Sequence, residues 1–158
     1  MANAILYLEL GAIAMVFAWL PLTFVWTRRG YGFFEKLNWV LVFMTFDLII
    51  FGAFTRLTDS GLGCPDWPGC YGTSNPWHAI GDIQLAQSAL PTGPVTVMKA
   101  WIEMIHRYLA MTLGALILVQ LGIAWSKVKT LGMTPVFASL GLLFLVLIQG
   151  ALAKIVLV

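Results

Sequence analysis

Long apolar runs divide the chain into four stretches, separated by two short polar connections and one long one. A helix needs roughly 20 mostly apolar residues to cross the hydrocarbon core of a bilayer. The stretches that reach this length are predicted as transmembrane helices at about 4–26, 37–54, 101–125 and 135–157. The pattern therefore predicts an all-α, polytopic membrane bundle, with residues 1–158 forming a single membrane domain and one long outer loop at 55–100.

Local signals add detail to the loop and to the last helix. The loop holds most of the prolines of the chain, which predicts a path ordered by turns. Within it, His78–Leu90 is predicted as a short helix on the membrane surface, with Ile80, Ile83, Ala86 and Leu90 on one side. Thr134 and Pro135 are a favourable N-cap and first residue for the last helix.

Composition supports a membrane protein before any motif is considered. Hydrophobic residues make up 60% of the chain and charged residues 10%, and mean hydropathy is +0.89, whereas soluble domains carry about 25% charge. The net charge of +2 is small and scattered, which argues against nucleic acid as a partner. The predicted surroundings are therefore the lipid bilayer.

Basic residues are distributed unevenly between the two sides of the predicted bundle. The two short connections hold Arg28, Arg29, Lys36, Lys127 and Lys129, while the much longer loop holds Arg56 and Lys99. Short loops rich in Lys and Arg stay in the cytoplasm. This predicts a bacterial inner membrane protein whose N-terminus and long loop are periplasmic. Both cysteines lie in that loop, on the side where a disulfide persists.

A histidine enters the third predicted span just below the surface. His106 is followed at i+4 and i+8 by Ala110 and Gly114. Neutral imidazole ligates heme iron, and small residues on the same face would let a flat porphyrin lie against the helix. The same pattern also fits a histidine hydrogen-bonded between closely packed helices. Spacing alone does not separate the two.

Glu103 lies one turn before His106 on the same side of the helix. A carboxylate there could orient the imidazole or relay protons toward a substrate. It could equally be an interfacial residue that pairs with Lys99 at i−4 or with Arg107 at i+4.

Arginines flank the same membrane boundary. Arg56 and Arg107 are predicted at the depth of His106, where a guanidinium could pair with a heme propionate. Ordinary anchoring at the lipid headgroups explains them as well, and explains Lys99 better.

Cys64 and Cys70 enclose the residues Pro-Asp-Trp-Pro-Gly. This spacing excludes covalent c-type heme attachment and a zinc site. A disulfide closing so small a ring would add only roughly 2 kcal/mol. We therefore expect it to shape the loop or, if it is exposed and strained, to exchange thiols. Asp47, Glu9 and His78 are polar positions without an assigned role.

Two motifs in order resemble the heme A synthase family, the cytochrome oxidase assembly proteins. One is the run Thr55-Arg-Leu-Thr-Asp-Ser-Gly-Leu-Gly-Cys-Pro-Asp-Trp-Pro-Gly-Cys70. The other is Lys99-Ala-Trp-Ile-Glu-Met-Ile-His-Arg-Tyr108, which resembles the family's Glu-x-x-His-Arg motif. The resemblance covers about residues 37–151, and the first span looks like an N-terminal extension.

The resemblance implies an oxidoreductase that converts heme O to heme A, oxidising a porphyrin methyl group to a formyl group for the terminal oxidase. It implies His106 as an axial ligand of heme iron and Glu103 as the catalytic carboxylate. Cys64 and Cys70 would form the outer-loop disulfide. Heme O would be the substrate, and a b-type heme a further cofactor.

The chain also departs from the family pattern, in which two four-helix halves each supply a histidine pair. Only three helices of the first half are expected here, with one of its two ligand histidines. We therefore expect a homo-oligomer, a second half-chain, or a truncated half of the synthase. The alternative function is a non-enzymatic membrane protein that binds or delivers heme.

Overall fold

The computed structural model describes residues 23, 25–27, 29–91, 93 and 95–156. Within these ranges the chain is α-helical and contains no β-strand. The helices are α1 (Phe33–Leu57), α2 (Ile80–Ala89), α3 (Val97–Ser126), α4 (Val128–Leu131) and α5 (Thr134–Val156). The predicted first span lies almost wholly outside the described residues. The prediction of an all-α membrane bundle is confirmed.

Helices α1, α3 and α5 are long and apolar enough to cross a bilayer, and they match the last three predicted spans. The helices α1 and α3 each begin a turn earlier than predicted, because polar groups cap them. The carboxylate of Glu35 accepts from the backbone N–H of Gly32 at 2.8 Å, and the Thr96 hydroxyl accepts from the Lys99 N–H at 3.2 Å. Helix α5 begins at Thr134, as the Thr-Pro pair predicts.

Helix α3 is the centre of the bundle and packs against both α1 and α5. Leu37 and Leu41 of α1 bury themselves against Leu113 and Ile117 of α3. In the same contact between α1 and α3, the Gln120 amide donates to the Asn38 side-chain oxygen. Gln120 is buried, so this polar pair fixes the register of α1 against α3 from within.

The loop between α1 and α3 folds into a compact cap on the first turns of α3. Its core consists of the disulfide cysteines, Ala79, Ile83, Ala100 and Met104. The short helix α2 confirms the predicted helix in the loop. Its apolar side is less uniform than predicted, since Ile83 is fully buried while Leu90 is 58% exposed. Ile83 packs against other residues of the cap. The periodicity of the sequence shows an apolar side but does not tell whether protein or the membrane surface covers it.

Large apolar side chains cover the outside of the spanning helices. Phe46 and Ile49 of α1, and Phe137 and Phe144 of α5, are all more than half exposed. Exposed apolar surface of this extent belongs against lipid rather than water. The chain is therefore a multi-pass membrane protein.

Candidate functional site

The candidate site lies where the disulfide loop meets α3. Helix geometry brings Glu103, His106 and Arg107 to neighbouring positions, since residues three and four apart share a face. The loop approaches α3 very closely at Gly63. A Cβ at this glycine would lie 2.7 Å from the Ala100 backbone nitrogen, so only glycine allows the contact.

Glu103 is buried and its carboxylate is fully engaged. One oxygen, Oε2, accepts from the backbone N–H of Cys64 at 2.9 Å, and the other accepts from the guanidinium of Arg107. Of the two pairings expected for an interfacial glutamate, the one with Arg107 forms. The carboxylate thus joins α3 to the loop.

Arg107 reaches from α3 into the ring closed by the two cysteines. Its Nη1 donates to the backbone carbonyls of Asp66, at 2.7 Å, and Gly69, at 2.5 Å. Its Nη2 donates to Glu103. A planar guanidinium with several fixed donors suits this arrangement, which a single ammonium group could not reproduce.

The turn after the second cysteine is organised by Asp66. Its carboxylate accepts from the backbone N–H groups of Tyr71 and Gly72, where the backbone has φ of 51° and 72°. Burial raises the pKa of the Tyr71 phenol, and the negative charges of Asp66 and Asp82 raise it further. The Tyr108 hydroxyl of α3 donates to the Ser74 carbonyl and ties the end of this turn to the helix.

Cys64 and Cys70 form a disulfide, as the resemblance implies. The exposure on which thiol exchange was conditional is not found, because Cys70 is fully buried and Cys64 is 8% exposed. The reason is the folding of the loop onto α3, which sequence spacing did not reveal. Protein atoms therefore shield both cysteines from solvent.

His106 lies on the side of α3 that faces α1. Its imidazole is stacked nearly parallel to the Phe51 ring, with centroids 6.2 Å apart. A Cβ at Gly52 would lie 3.0 Å from Nε2, so the missing side chain makes room for the ring. The imidazole therefore packs against α1, while both oxygens of the Glu103 carboxylate bond to other groups.

The residues around His106 fit a heme by their chemistry. The imidazole is half-buried, and Gly114, two turns further along α3, has no neighbouring atom within 4 Å of its Cβ position. A flat, apolar ring system could therefore lie against this stretch of the helix. Ligation of iron through Nε2 would require this nitrogen to move away from Gly52.

The remaining predicted positions lie apart from this network. Arg56 is exposed in the last turn of α1, and Lys99 is half-buried in the first turn of α3. Asp47 is half-buried in the middle of α1, and His78 is exposed in the loop. Glu9 falls outside the described residues.

Sequence reasoning missed four contributors: Gly52, Gly63, Asp66 and Tyr108. The glycines matter through close backbone approach, and no spacing rule marks such contacts in advance. Asp66 lies between prolines in a turn-rich run, where Asp commonly bonds to nearby backbone N–H groups. That local preference is the one signal that could have identified it.

Comparison with known proteins places this geometry in a family. The family model described as cytochrome oxidase assembly protein matches residues 35–156. The match begins near the start of α1 and extends to the end of α5.

Three curated relatives are each named heme A synthase. The protein of Shewanella oneidensis is 42% identical over 74% of this chain and 35% of its own length. That of Halalkalibacterium halodurans is 30% identical over 77% of this chain and 33% of its own length. That of Novosphingobium aromaticivorans is 33% identical over 56% of this chain and 29% of its own length.

The alignments thus span about a third of the length of these relatives. No solved structure matches the chain. The match to the family model covers both sequence motifs and all three spanning helices described above. The chain belongs to the cytochrome oxidase assembly protein family.

Proposed function

We propose that this chain carries out, or forms part of, the oxidation of heme O to heme A. The observation that carries the proposal is the juxtaposition, on one helix at one membrane boundary, of His106 with the Glu103–Arg107 pair under a disulfide cap. The names of the three relatives support it. Heme supplies the reactive iron when bound, and the protein supplies orientation and charge.

His106 is proposed as the axial ligand of heme iron. Neutral imidazole is the appropriate donor, and a spanning helix keeps it away from water. Among the described residues of the spanning helices, His106 is the only histidine. The proposal therefore includes a second axial ligand from elsewhere, such as a second copy or another chain, and a b-type heme as a further cofactor.

Glu103 is proposed as the catalytic carboxylate. It is buried next to the histidine, and its hydrogen bonds to Arg107 and Cys64 hold it in place. A fixed carboxylate can accept and return a proton at a substrate close by. Arg56 is exposed at the end of α1 and is free to pair with a propionate. Arg107 is bonded to Glu103 and to the loop, so its pairing with a propionate stays a prediction.

The second candidate function is heme binding or delivery without turnover. It is favoured by one observation, namely that both oxygens of Glu103 already accept hydrogen bonds from the protein. A carboxylate so engaged can be purely structural. Measuring the product distinguishes the two functions.

The proposal places the protein in the bacterial inner membrane with the disulfide cap on the periplasmic side. The excess of basic residues in the short connections supports this orientation. Heme O would enter from the bilayer, and the product would pass to the assembly of the terminal oxidase.

The test is to express the chain in membranes that contain heme O and to identify the extracted hemes by chromatography. We expect heme A with the unchanged chain, bound heme without heme A for Glu103→Gln, and no bound heme for His106→Ala. Heme A formation by the Glu103→Gln variant would remove the catalytic assignment. Bound heme without heme A in the unchanged chain would support the delivery function.

A further inference from the structure

Arg107 hydrogen bonds both to the backbone of the disulfide ring and to the Glu103 carboxylate, which itself contacts that ring. Its Nη1 donates to the carbonyls of Asp66 and Gly69, and both residues lie inside the ring closed by Cys64 and Cys70. Its Nη2 donates to Glu103, whose other oxygen accepts from the N–H of Cys64. The hydrogen bonds therefore form a closed circuit through the ring, the arginine and the carboxylate.

This circuit depends on the ring being closed. The cross-link holds the two cysteine Cα atoms 4.8 Å apart, which limits the conformations of the residues between them. When the cross-link is broken, the residues between the two cysteines regain backbone freedom. Holding the carbonyls of Asp66 and Gly69 at Nη1 of Arg107 then costs conformational entropy. Hydrogen bonds to a charged group in a buried site are strong enough to oppose that loss.

We propose that Arg107 is a positioning residue that couples the oxidation state of the Cys64–Cys70 pair to the Glu103 carboxylate. Bonds that form only with the closed ring favour the disulfide over the dithiol. By thermodynamic linkage, opening the ring weakens the hydrogen bonds of Arg107 and Cys64 to Glu103 by the same free energy with which these bonds favour the disulfide. The inference concerns the chain's own contacts and holds whether or not the chain binds heme.

The chemical step is ordinary thiol–disulfide exchange. One glutathione thiolate attacks a ring sulfur, forms a mixed disulfide with it and releases the other cysteine as a thiolate. A second glutathione thiolate then attacks the glutathione sulfur of that mixed disulfide and releases the second cysteine as a thiolate. The products are two cysteine thiols and one glutathione disulfide. The cap buries both sulfurs, so its opening, which Arg107 opposes, precedes the attack.

The test is the thiol–disulfide equilibrium of the full chain in detergent, poised with mixtures of reduced and oxidised glutathione. Acid quenching and labelling with a maleimide polymer report the oxidised fraction. We expect Arg107→Gln and Arg107→Lys to lower the equilibrium constant for disulfide formation about tenfold. Glu103→Gln should lower it less, because the carbonyl contacts remain.

Arg56→Gln is the matched control, since this arginine lies at the same boundary outside the circuit, and it should leave the constant unchanged. An Arg107→Gln constant within twofold of the unchanged chain would overturn the proposal, as would an equal fall in the Arg56→Gln control. If Arg107→Gln is not recovered from membranes, Arg107→Lys decides the matter, because it keeps the charge and loses the fork of donors.

A second measurement distinguishes coupling from loss of folding. Deuterium exchange of residues 60–72 should rise when the unchanged chain is reduced. In Arg107→Gln, the same segment should exchange rapidly even when oxidised, while α1 and α5 stay protected. Equal protection of the segment in both oxidised proteins would contradict the coupling.

Discussion

Gly52 determines how closely α1 approaches the imidazole of His106. The position a Cβ would take is 3.0 Å from Nε2, tighter than an ordinary van der Waals contact. The ring fits between this backbone and the Phe51 side chain. Of the two roles that its sequence position left open, packing between helices is the one this geometry shows, and ligation of heme iron stays a prediction.

Replacing Gly52 by alanine should therefore destabilise the helix pair, while Gly122→Ala in α3, which has open space at its Cβ, should not. The expected difference between the two variants is about 1 kcal/mol in the free energy of unfolding, because the imidazole must move. Tryptophan fluorescence during titration with sodium dodecyl sulfate measures it. Equal unfolding midpoints would show that the ring does not pack at Gly52.

The polar pair of Asn38 and Gln120 makes a second residue-level prediction. Gln120→Leu should cost about 1 kcal/mol because Asn38 loses its partner within the bilayer. The double change to leucine at both positions should recover most of that loss. A double-mutant cycle by the same titration checks this, and strictly additive losses would deny the interaction.

At the scale of elements, the loop between α1 and α3 is a folded cap rather than a flexible connection. The apolar runs predicted the spanning helices, and the prolines predicted turns. The predicted starts of α1 and α3 were a turn too late, because the capping contacts of Gly32 and Thr96 lie outside the apolar runs. The cap itself could not be predicted. Arg107 holds it through backbone carbonyls, and because every residue carries one, the sequence does not mark which carbonyls the arginine binds.

Gly63→Ala should loosen the cap from α3. Its Cβ would meet the backbone of Lys99 at 2.9 Å, as well as the Ala100 nitrogen, and neither backbone atom can yield as a side chain does. We expect a loss of about 1–3 kcal/mol in the stability of the cap and faster cleavage of the loop by protease. Gly81→Ala, with open space around it, is the control and should be cleaved at the original rate.

For the whole molecule, the site lies at one end of the bundle and the basic connections lie at the other. The resemblance of the two motifs to the family was apparent from the sequence, and the family model confirms it. The burial of the disulfide was not apparent, because it depends on the packing of Ile83 and Met104 around the sulfurs. The side of the membrane that the cap faces is a prediction from the distribution of Lys and Arg.

Labelling with a membrane-impermeant maleimide tests that orientation. In a background with Cys64 and Cys70 changed to serine, Trp77→Cys should react in intact spheroplasts. Lys129→Cys, in the connection between α3 and α5, should react only after lysis. The reverse pattern would place the cap in the cytoplasm.

We propose that His106 would hold heme iron beside Glu103, a carboxylate placed to accept and return a proton, while the bound heme would supply the oxidation chemistry. The most direct measurement is a reduced-minus-oxidised visible spectrum of the purified chain, with the extracted heme identified by chromatography. We expect bound heme that includes heme A, and we expect His106→Ala to lose this heme. A chain that folds, keeps its disulfide and binds no heme, or binds it equally without His106, would contradict the account.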